Sequence, residues 1–221
     1  MTDDWKFQRR RARLVDTLRK KGIDDERVLA AIGRVPRQEF VDQAFHTRAY
    51  RDEALPIGMK QTISQPFTVA YQTMLLDPQP DERILEIGTG SGYQAAVISE
   101  LGARVFSVER IRGLYEKTGV LLKKLGYRTV QCRFGDGRDG WASQAPFDGV
   151  IVTAGSPDVP PALLDQLREP AENVPGGRLI IPVGGPDEQQ MQRITRSGPD
   201  SFDREQLEGF RFVPLLGRTS G

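Results

Sequence analysis

The chain has 221 residues, 38% of them hydrophobic and 28% charged, which is the composition of one globular α/β domain with a sizeable buried core. Its 31 Lys and Arg against 30 Asp and Glu leave a formal net charge of +1, which excludes a strong overall attraction to nucleic acid or to an anionic membrane. The single cysteine, Cys132, excludes an internal disulfide and a cysteine zinc cluster, and without a signal-peptide core or an apolar run of ~20 residues we expect a cytoplasmic protein.

Two helices are predicted at the start of the chain. The first spans residues 5–21 and ends at Gly22, and the second is capped by Asp24 and ends at residues 33–36. Val28, Leu29 and Ile32 are expected to be the buried side chains of the second helix. The basic side chains of the first helix are Lys6, Arg9, Arg10, Arg11 and Arg13. Such a basic face can bind nucleic acid, but on an amphipathic helix it is usually solvated, and we expect a solvated face here.

A polar loop is predicted at residues 58–65, a composition that often carries function. Its hydrogen-bonding side chains are Gln61, Thr62, Ser64 and Gln65. Pro66 suits the first turn of a following helix, with Ser64 or Gln65 near the cap. Two interpretations stay open: a functional loop, or a helix start whose polar residues serve only as caps.

A strand, a tight glycine turn and a helix follow in the segment RILEIGTGSGYQAAVIS, residues 83–99. Gly88, Gly90 and Gly92 let the backbone turn sharply and bring main-chain N–H groups close to a ligand. The spacing differs from the G-x-G-x-x-G of NAD-binding proteins, whereas a cradle for S-adenosylmethionine tolerates it. Glu109 ends the next apolar run, where its carboxylate can accept hydrogen bonds from both hydroxyls of a ribose. A plain strand-turn-helix with a surface glutamate is the alternative.

Strands and helices alternate regularly from residue 83 onward, which predicts an α/β fold with a doubly wound, mostly parallel sheet. The predicted strands are 83–87, 104–108, 128–132, 148–153 and 177–183, and the predicted helices are 92–101, 111–124 and 160–168. Residues 191–197 and 210–216 are expected to add an antiparallel pair of strands. We interpret residues 1–221 as one domain, with an N-terminal segment (1–76) and an α/β core (77–221).

Ligands of such sheets bind beyond the carboxyl ends of the strands. Gly88, Glu109 and the FGDG turn that contains Asp136 and Gly137 are expected to converge there. Asp136 can accept a hydrogen bond from an exocyclic adenine amine, or it can simply stabilise an Asp-Gly turn. We expect no metal site, and we interpret the single histidine, His46, as a surface or packing residue.

Further motifs extend along nearly the whole chain. They are VPRQEFV, LPIGMKQTISQP, LEIGTGSGYQAAV, FSVER, GDG, APFDGVIVTAGSPDVPPALLDQL, GGRLIIPVG and FVPLL. Together they resemble the protein-L-isoaspartate O-methyltransferases, and LPIG followed by QTISQP is highly specific to that family. The resemblance implies the Rossmann-like fold of S-adenosylmethionine-dependent methyltransferases, with N-terminal helices. It also implies methylation of the free α-carboxylate of L-isoaspartyl residues, which initiates repair through a succinimide.

The same resemblance implies roles for individual residues. Ser64 matches the family's active-site serine, and Thr62, Ile63 and Gln65 lie in the stretch that touches substrate and cofactor. The positions implied in cofactor binding are Glu86, Gly88, Thr89, Gly90, Gly92, Glu109, Asp136 and Gly137. The implied cofactor is S-adenosylmethionine, with S-adenosylhomocysteine as its product. The implied partners are isoaspartyl-containing peptides and proteins rather than nucleic acid or membranes, and we expect a monomer.

The implied chemistry suits a chain that contains one histidine. A free α-carboxylate has a pKa of roughly 3.5 to 4, so at neutral pH it is ionised and needs no general base. Ser64 would donate its hydroxyl hydrogen to one carboxylate oxygen and orient the other toward the methyl group.

Three alternatives stay open at this point. A nucleic-acid methyltransferase would use the same cradle together with the basic first helix, although the sequence contains no N-P-P-Y-type pocket and no Pro-Cys loop. A non-catalytic cofactor-binding protein would need only the adenosine contacts. An NAD-dependent oxidoreductase is disfavoured by the glycine spacing.

Overall fold

The computed structural model describes residues 5–217 and 219–220. Its N-terminal part begins with helices α1 (Trp5–Lys20) and α2 (Glu26–Arg34), followed by two short 3-10 turns (Arg37–Phe40 and Gln43–Phe45). A hairpin of strands β1 (Leu55–Gly58) and β2 (Gln61–Ile63) leads into helix α3 (Pro66–Leu76). The two predicted helices and the helix start at Pro66 are confirmed, whereas most of the predicted loop is this hairpin.

Two details of the first helices differ from the prediction. The cap of α2 is Asp25 rather than Asp24, because the Asp25 carboxylate accepts two backbone N–H groups of the first turn at 2.8 and 3.3 Å. Arg11, predicted on the solvated basic face, is only 5% exposed. Its guanidinium donates to carbonyl oxygens at the end of α2 at 2.9 and 3.4 Å. The unpaired carbonyls of a helix C-terminus attract a cation, which draws this arginine inward.

The rest of the chain forms a seven-stranded sheet and its connecting helices. In chain order the elements are β3 (Arg83–Ile87), α4 (Tyr93–Glu100), β4 (Arg104–Glu109), α5 (Arg112–Leu125), β5 (Val130–Phe134), β6 (Gly149–Val152), α6 (Pro161–Asp165), β7 (Arg178–Gly184), β8 (Gln189–Arg196) and β9 (Phe202–Phe210). The spatial order is β5-β4-β3-β6-β7-β8-β9. The pairs β7–β8 and β8–β9 are antiparallel, and the other neighbouring pairs are parallel. The predicted fold class is confirmed.

The last predicted strand, 210–216, is wrong. The final strand of the sheet is β9, and it ends at Phe210. The following residues turn toward the parallel strands, where the Gly155 N–H donates to the Val213 carbonyl at 2.8 Å and the Leu215 N–H donates to the Gly155 carbonyl at 2.6 Å. Pro214, which lies between them, has no N–H to extend a ladder. Phe210, Phe212 and Leu215 pack against the core as partly buried side chains, whereas Pro214 and Leu216 are exposed. The apolar pattern of this stretch therefore reflects partial packing against the core rather than a strand.

The order of the strands creates a crevice beside β3. This strand lies between β4 and β6, so the chain leaves it on one side and returns on the other. Both faces of the sheet are covered, because Ile84 and Leu85, adjacent in β3, belong to core layers on opposite faces. In the described part of the chain, no helix combines the length and the apolar character needed to span a bilayer.

Candidate active site

A cleft at the carboxyl ends of β3, β4 and β6 encloses about 770 Å³, part of it open to solvent. Its walls are residues 61–64 of the hairpin, the glycine turn at 88–91, residues 108–111, Gly137 and the C-terminal stretch 213–216. The prediction that the glycine turn, the end of β4 and the FGDG turn converge is confirmed.

Most of the predicted site residues line this cleft. They are Thr62, Ile63, Ser64, Gly88, Thr89, Gly90, Glu109 and Gly137. The predicted residues that lie outside its lining are Gln65, Glu86, Gly92 and Asp136. The cleft therefore combines the stretch predicted to bind substrate with the stretch predicted to bind cofactor, and the role of each residue toward a ligand stays a prediction.

The glycine turn has the backbone that its sequence predicts. Gly88 and Gly92 have φ angles of +96° and +85°, a region that side chains rarely adopt. A Cβ at Gly88 would lie 2.5 Å from Thr153 Oγ1, and a Cβ at Gly92 would lie 2.7 Å from Thr118 Cγ2. Gly92 therefore allows the start of α4 to pack on α5, whereas the backbone at Gly88 borders the cleft directly.

Glu109 is held in place by the backbone around it. Glu109 is buried, with 4% of its surface exposed. One carboxylate oxygen accepts the Gly90 N–H at 2.8 Å, and the other accepts the Ile111 N–H at 2.9 Å. Each carboxylate oxygen can accept two hydrogen bonds, so each has one acceptor position left for a ligand. This rigid pair of acceptors suits the two hydroxyls of a ribose.

Glu86 lies beneath the cleft rather than in its wall. It is fully buried, and the Ser107 hydroxyl donates to its Oε2 atom. Ser107 in turn lies 2.6 Å from Thr89 Oγ1, so Glu86 reaches the cleft through two hydroxyl groups. Burial raises the pKa of Glu86 to about 8, although the Ser107 hydrogen bond opposes the shift. The carboxyl is therefore largely uncharged at neutral pH.

Ser64 follows β2 directly and precedes α3. The interpretation of this polar stretch as helix caps is not supported, because the N-cap residue of α3 is Gln65 and its side chain makes no capping hydrogen bond. The Asp52 carboxylate does so instead, accepting the Phe67 N–H at 2.7 Å. The Ser64 carbonyl accepts a hydrogen bond from Arg37 Nη2 at 2.8 Å. The position of Ser64 in the cleft wall is thus fixed through its main chain.

Sequence reasoning missed three contributors to this site. Asp52 caps α3 by accepting the N–H of Phe67, which follows it by 15 positions in the sequence. Arg37 donates a hydrogen bond to the carbonyl of Ser64, which follows it by 27 positions. The stretch 213–216 closes one side of the cleft. The VPRQEFV and FVPLL motifs contain Arg37 and the stretch 213–216, but they indicate a family and no contact, and Asp52 lies in neither motif.

Comparisons with known proteins decide the family. Residues 9–220 match the family "Protein-L-isoaspartate(D-aspartate) O-methyltransferase (PCMT)". The chain belongs to this family. A protein-L-isoaspartate O-methyltransferase of Salinibacter ruber is 57% identical over 100% of this chain and 97% of its own length. The predictions of family, enzyme class and S-adenosylmethionine as cofactor are confirmed. Membership of this family favours a carboxyl methyltransferase over a nucleic-acid methyltransferase, a non-catalytic cofactor-binding protein and an NAD-dependent oxidoreductase.

Solved structures agree with this protein-L-isoaspartate O-methyltransferase fold. One structure of that name has a TM-score of 0.83 and 28% identity, and the match covers 94% of this chain and 66% of that protein. A putative protein-L-isoaspartate O-methyltransferase from Plasmodium falciparum, in complex with S-adenosyl-L-homocysteine, has a TM-score of 0.79 and 23% identity over 93% of this chain and 98% of its own length.

Three other polar candidates of this methyltransferase, Asp136, His46 and Cys132, lie outside the cleft lining. Asp136 accepts the Arg138 N–H at 3.0 Å and pairs with the Arg138 guanidinium at 3.0 Å, as an Asp-Gly turn predicts. His46 packs edge-on against Phe7. Burial raises the pKa of the Cys132 thiol to about 12, which leaves it unreactive. Within residues 5–217 and 219–220, no three or more His, Cys, Asp or Glu side chains cluster as metal ligands.

Proposed function

We propose that the cleft transfers the methyl group of S-adenosylmethionine to the free α-carboxylate of an L-isoaspartyl residue in a damaged peptide or protein. The observation that supports this is the meeting of the Ser64 stretch with the glycine turn and Glu109 in one cleft. The nitrogen of the neighbouring backbone amide then attacks the carbonyl of the methyl ester. The C–N bond of a succinimide forms as the C–OCH3 bond breaks, and methanol leaves with the amide proton. Hydrolysis of the succinimide then returns some normal aspartate, so methylation initiates repair.

The residues on the cofactor side fit S-adenosylmethionine. When bound, it supplies an electrophilic methyl group on a positively charged sulfur. Glu109 would accept hydrogen bonds from the ribose hydroxyls through its two remaining acceptor positions. The main chain at Gly88 lines the cleft and would approach the ligand closely, and a Cβ there would clash with Thr153 Oγ1 at 2.5 Å. Asp136, beside Gly137 at the cleft, would accept a hydrogen bond from the adenine amine.

The residues on the substrate side position the nucleophile. Ser64 would donate its hydroxyl hydrogen to one carboxylate oxygen, which orients the other oxygen toward the methyl group. Thr62, Ile63 and Gln65 would position the adjoining peptide. Ile63 is 3% exposed, and together with Val213 and Leu215 it gives this part of the cleft an apolar wall that would exclude water once substrate is bound. Alignment of this kind can contribute about 7–11 kcal/mol to a bimolecular reaction.

No general base is needed for this reaction. The substrate carboxylate is ionised at neutral pH, so the attacking oxygen carries its charge on arrival. A hydroxyl suits the orienting role better than a cation in direct contact, which would stabilise the carboxylate before the reaction and slow its attack.

The decisive experiment uses labelled S-adenosylmethionine and two peptides that differ only in a normal or an isomerised aspartate. We expect base-labile label on the isoaspartyl peptide alone, because methyl esters release methanol in base. Label on both peptides or on neither would contradict the proposed substrate. Label on RNA or DNA, with a steep dependence on salt, would support a nucleic-acid methyltransferase instead.

We also propose that the protein works as a monomer in the cytoplasm, on isoaspartyl proteins rather than on nucleic acid or membranes. The sequence supports this with its near-neutral charge and its single thiol, which suits a reducing compartment. Sedimentation at micromolar concentration tests the monomer, and a dimer of constant mass across dilutions would contradict it.

A further inference from the structure

Arg37 is a fully buried arginine directly behind the Ser64 wall of the cleft. Its Nη2 atom donates to the Ser64 carbonyl at 2.8 Å, and its Nε atom donates to the Ala49 carbonyl at 2.8 Å. The guanidinium also lies 4.6 Å from the centroid of the Tyr93 ring. Tyr93 itself lines the cleft at the start of α4. Arg37 thus contacts both the substrate-side wall and the helix that follows the glycine turn.

In the part of the chain that the structure describes, no carboxylate forms a direct ion pair with the Arg37 guanidinium. Its two hydrogen bonds go to carbonyl oxygens, and its Nη1 atom has no partner among residues 5–217 and 219–220. Asp52 acts on Arg37 only through space, because its own carboxylate pairs with Lys21 Nζ at 2.6 Å and accepts the Phe67 N–H at 2.7 Å. A buried cation without a counter-ion is costly, and arginine stays protonated in proteins. An anion that enters the cleft beside Ser64 would supply the missing counter-charge.

We propose that Arg37 is a positioning residue that fixes the Ser64 main chain and gives the cleft a buried positive charge selective for an anionic carboxylate over a neutral analogue. The proposal rests on the proposed function. Because Arg37 reaches the site through the Ser64 carbonyl, it attracts the substrate without forming a contact ion pair with the attacking oxygen. Binding of the anion is favoured while its nucleophilicity is preserved.

Arg11 provides a matched control. It is also a buried arginine, 5% exposed, that donates to main-chain carbonyls and lies 5.7 Å from the centroid of a tyrosine ring, that of Tyr50. It is absent from the lining of the cleft. Substitutions of Arg11 therefore remove comparable packing and hydrogen bonds without changing the charge beside Ser64.

The test compares Arg37→Gln, Arg37→Lys and Arg11→Gln in the full chain. Dissociation constants are measured with S-adenosylhomocysteine present, for an isoaspartyl peptide and for the same peptide with its α-carboxylate replaced by a carboxamide. We expect the preference of the wild type for the carboxylate to fall at least fivefold in Arg37→Gln. It should be retained in Arg11→Gln and in Arg37→Lys, which keeps the cation. The affinity for S-adenosylhomocysteine should change by less than twofold.

An unchanged preference in Arg37→Gln, or an equal loss in Arg11→Gln, would overturn the proposal. If Arg37→Gln does not fold, Arg37→Lys still tests the positioning role. One ammonium group cannot replace the forked hydrogen bonds to Ser64 and Ala49, so kcat on the isoaspartyl peptide should fall at least fivefold. An unchanged kcat would overturn that role. Failure of the wild type to methylate the isoaspartyl peptide is a separate result, which refutes the proposed function itself.

Discussion

Replacing Glu109 with alanine separates two functions of one carboxylate. Glu109 is 4% exposed, and its oxygens accept the N–H groups of Gly90 and Ile111 at 2.8 and 2.9 Å. A hydrogen bond from a ribose hydroxyl to a charged group contributes about 1.5–3 kcal/mol, so we expect cofactor affinity to fall roughly 10- to 150-fold. The buried Ile111 N–H also loses its acceptor, which should lower the free energy of unfolding by about 1–3 kcal/mol while the protein stays folded.

Calorimetric titration with S-adenosylhomocysteine measures the first effect, and urea unfolding without ligand measures the second. Glu205→Ala is the control, because Glu205 is an exposed residue of β9 that pairs with Arg193 at 3.0 Å. It should change neither quantity appreciably. An unchanged affinity in Glu109→Ala would refute the ribose contact. A lower affinity with an unchanged free energy of unfolding would refute the argument that this carboxylate also supports the backbone.

Substitutions at three further positions, Ser64, Asp52 and Glu86, test the substrate contact, the helix cap and the buried carboxyl. Ser64→Ala should keep cofactor affinity and lower kcat on an isoaspartyl peptide roughly 10- to 150-fold, because one hydrogen bond to a charged carboxylate is lost; undiminished release of base-labile methyl label would contradict this. Asp52→Ala should lower the free energy of unfolding, measured in urea, by about 1–2 kcal/mol, since the Phe67 N–H loses its acceptor. Asp52→Asn keeps an acceptor oxygen, so its free energy of unfolding should fall by less. Burial raises the pKa of Glu86 from 4.5 to about 8, so the folded state retains a proton that the unfolded state releases between these values. The free energy of unfolding of the wild type should therefore fall as pH rises from about 4.5 to about 8 and then level off, and Glu86→Gln should remove this slope. Parallel pH profiles of the two proteins in denaturant would show that Glu86 ionises normally in the fold.

The parts of the site that sequence could predict are those set by local order. The three glycines follow a short apolar strand, and a tight turn there leaves few backbone conformations available. Glu109 ends the next strand of the same sheet, and parallel strands end at one edge. The strand, the turn and the acidic residue are therefore brought together by the fold class alone. The structure places Gly88, Gly90 and Glu109 in the cleft lining, with Gly92 outside it.

The parts that sequence could not predict depend on contacts between distant positions. Residues 210–216 have an apolar pattern that suits a strand, and only the position of Gly155 shows that they return to the parallel strands. The helical spacing of the basic residues in α1 predicts that Arg11 lies on a solvated face. In the structure it is buried, because it donates hydrogen bonds to carbonyl oxygens at the end of α2. Nothing local distinguishes Asp52 from other surface acids, because its partner N–H is defined only when α3 packs beside it.

The charges around the cleft suit a substrate that arrives as an anion. Glu86, which reaches the cleft through the hydroxyls of Ser107 and Thr89, is largely neutral at pH 7 because burial raises its pKa to about 8, so it adds little negative charge that would repel such a substrate. The Glu109 carboxylate accepts the N–H groups of Gly90 and Ile111 on the cofactor side. In the proposed role of Arg37, its guanidinium is a cation behind the Ser64 main chain, and it is linked to the cleft wall by its hydrogen bond to the Ser64 carbonyl. A cation in direct contact would bind the carboxylate more tightly but would also stabilise the attacking oxygen, so contact by a hydroxyl with the cation behind it favours both binding and reaction.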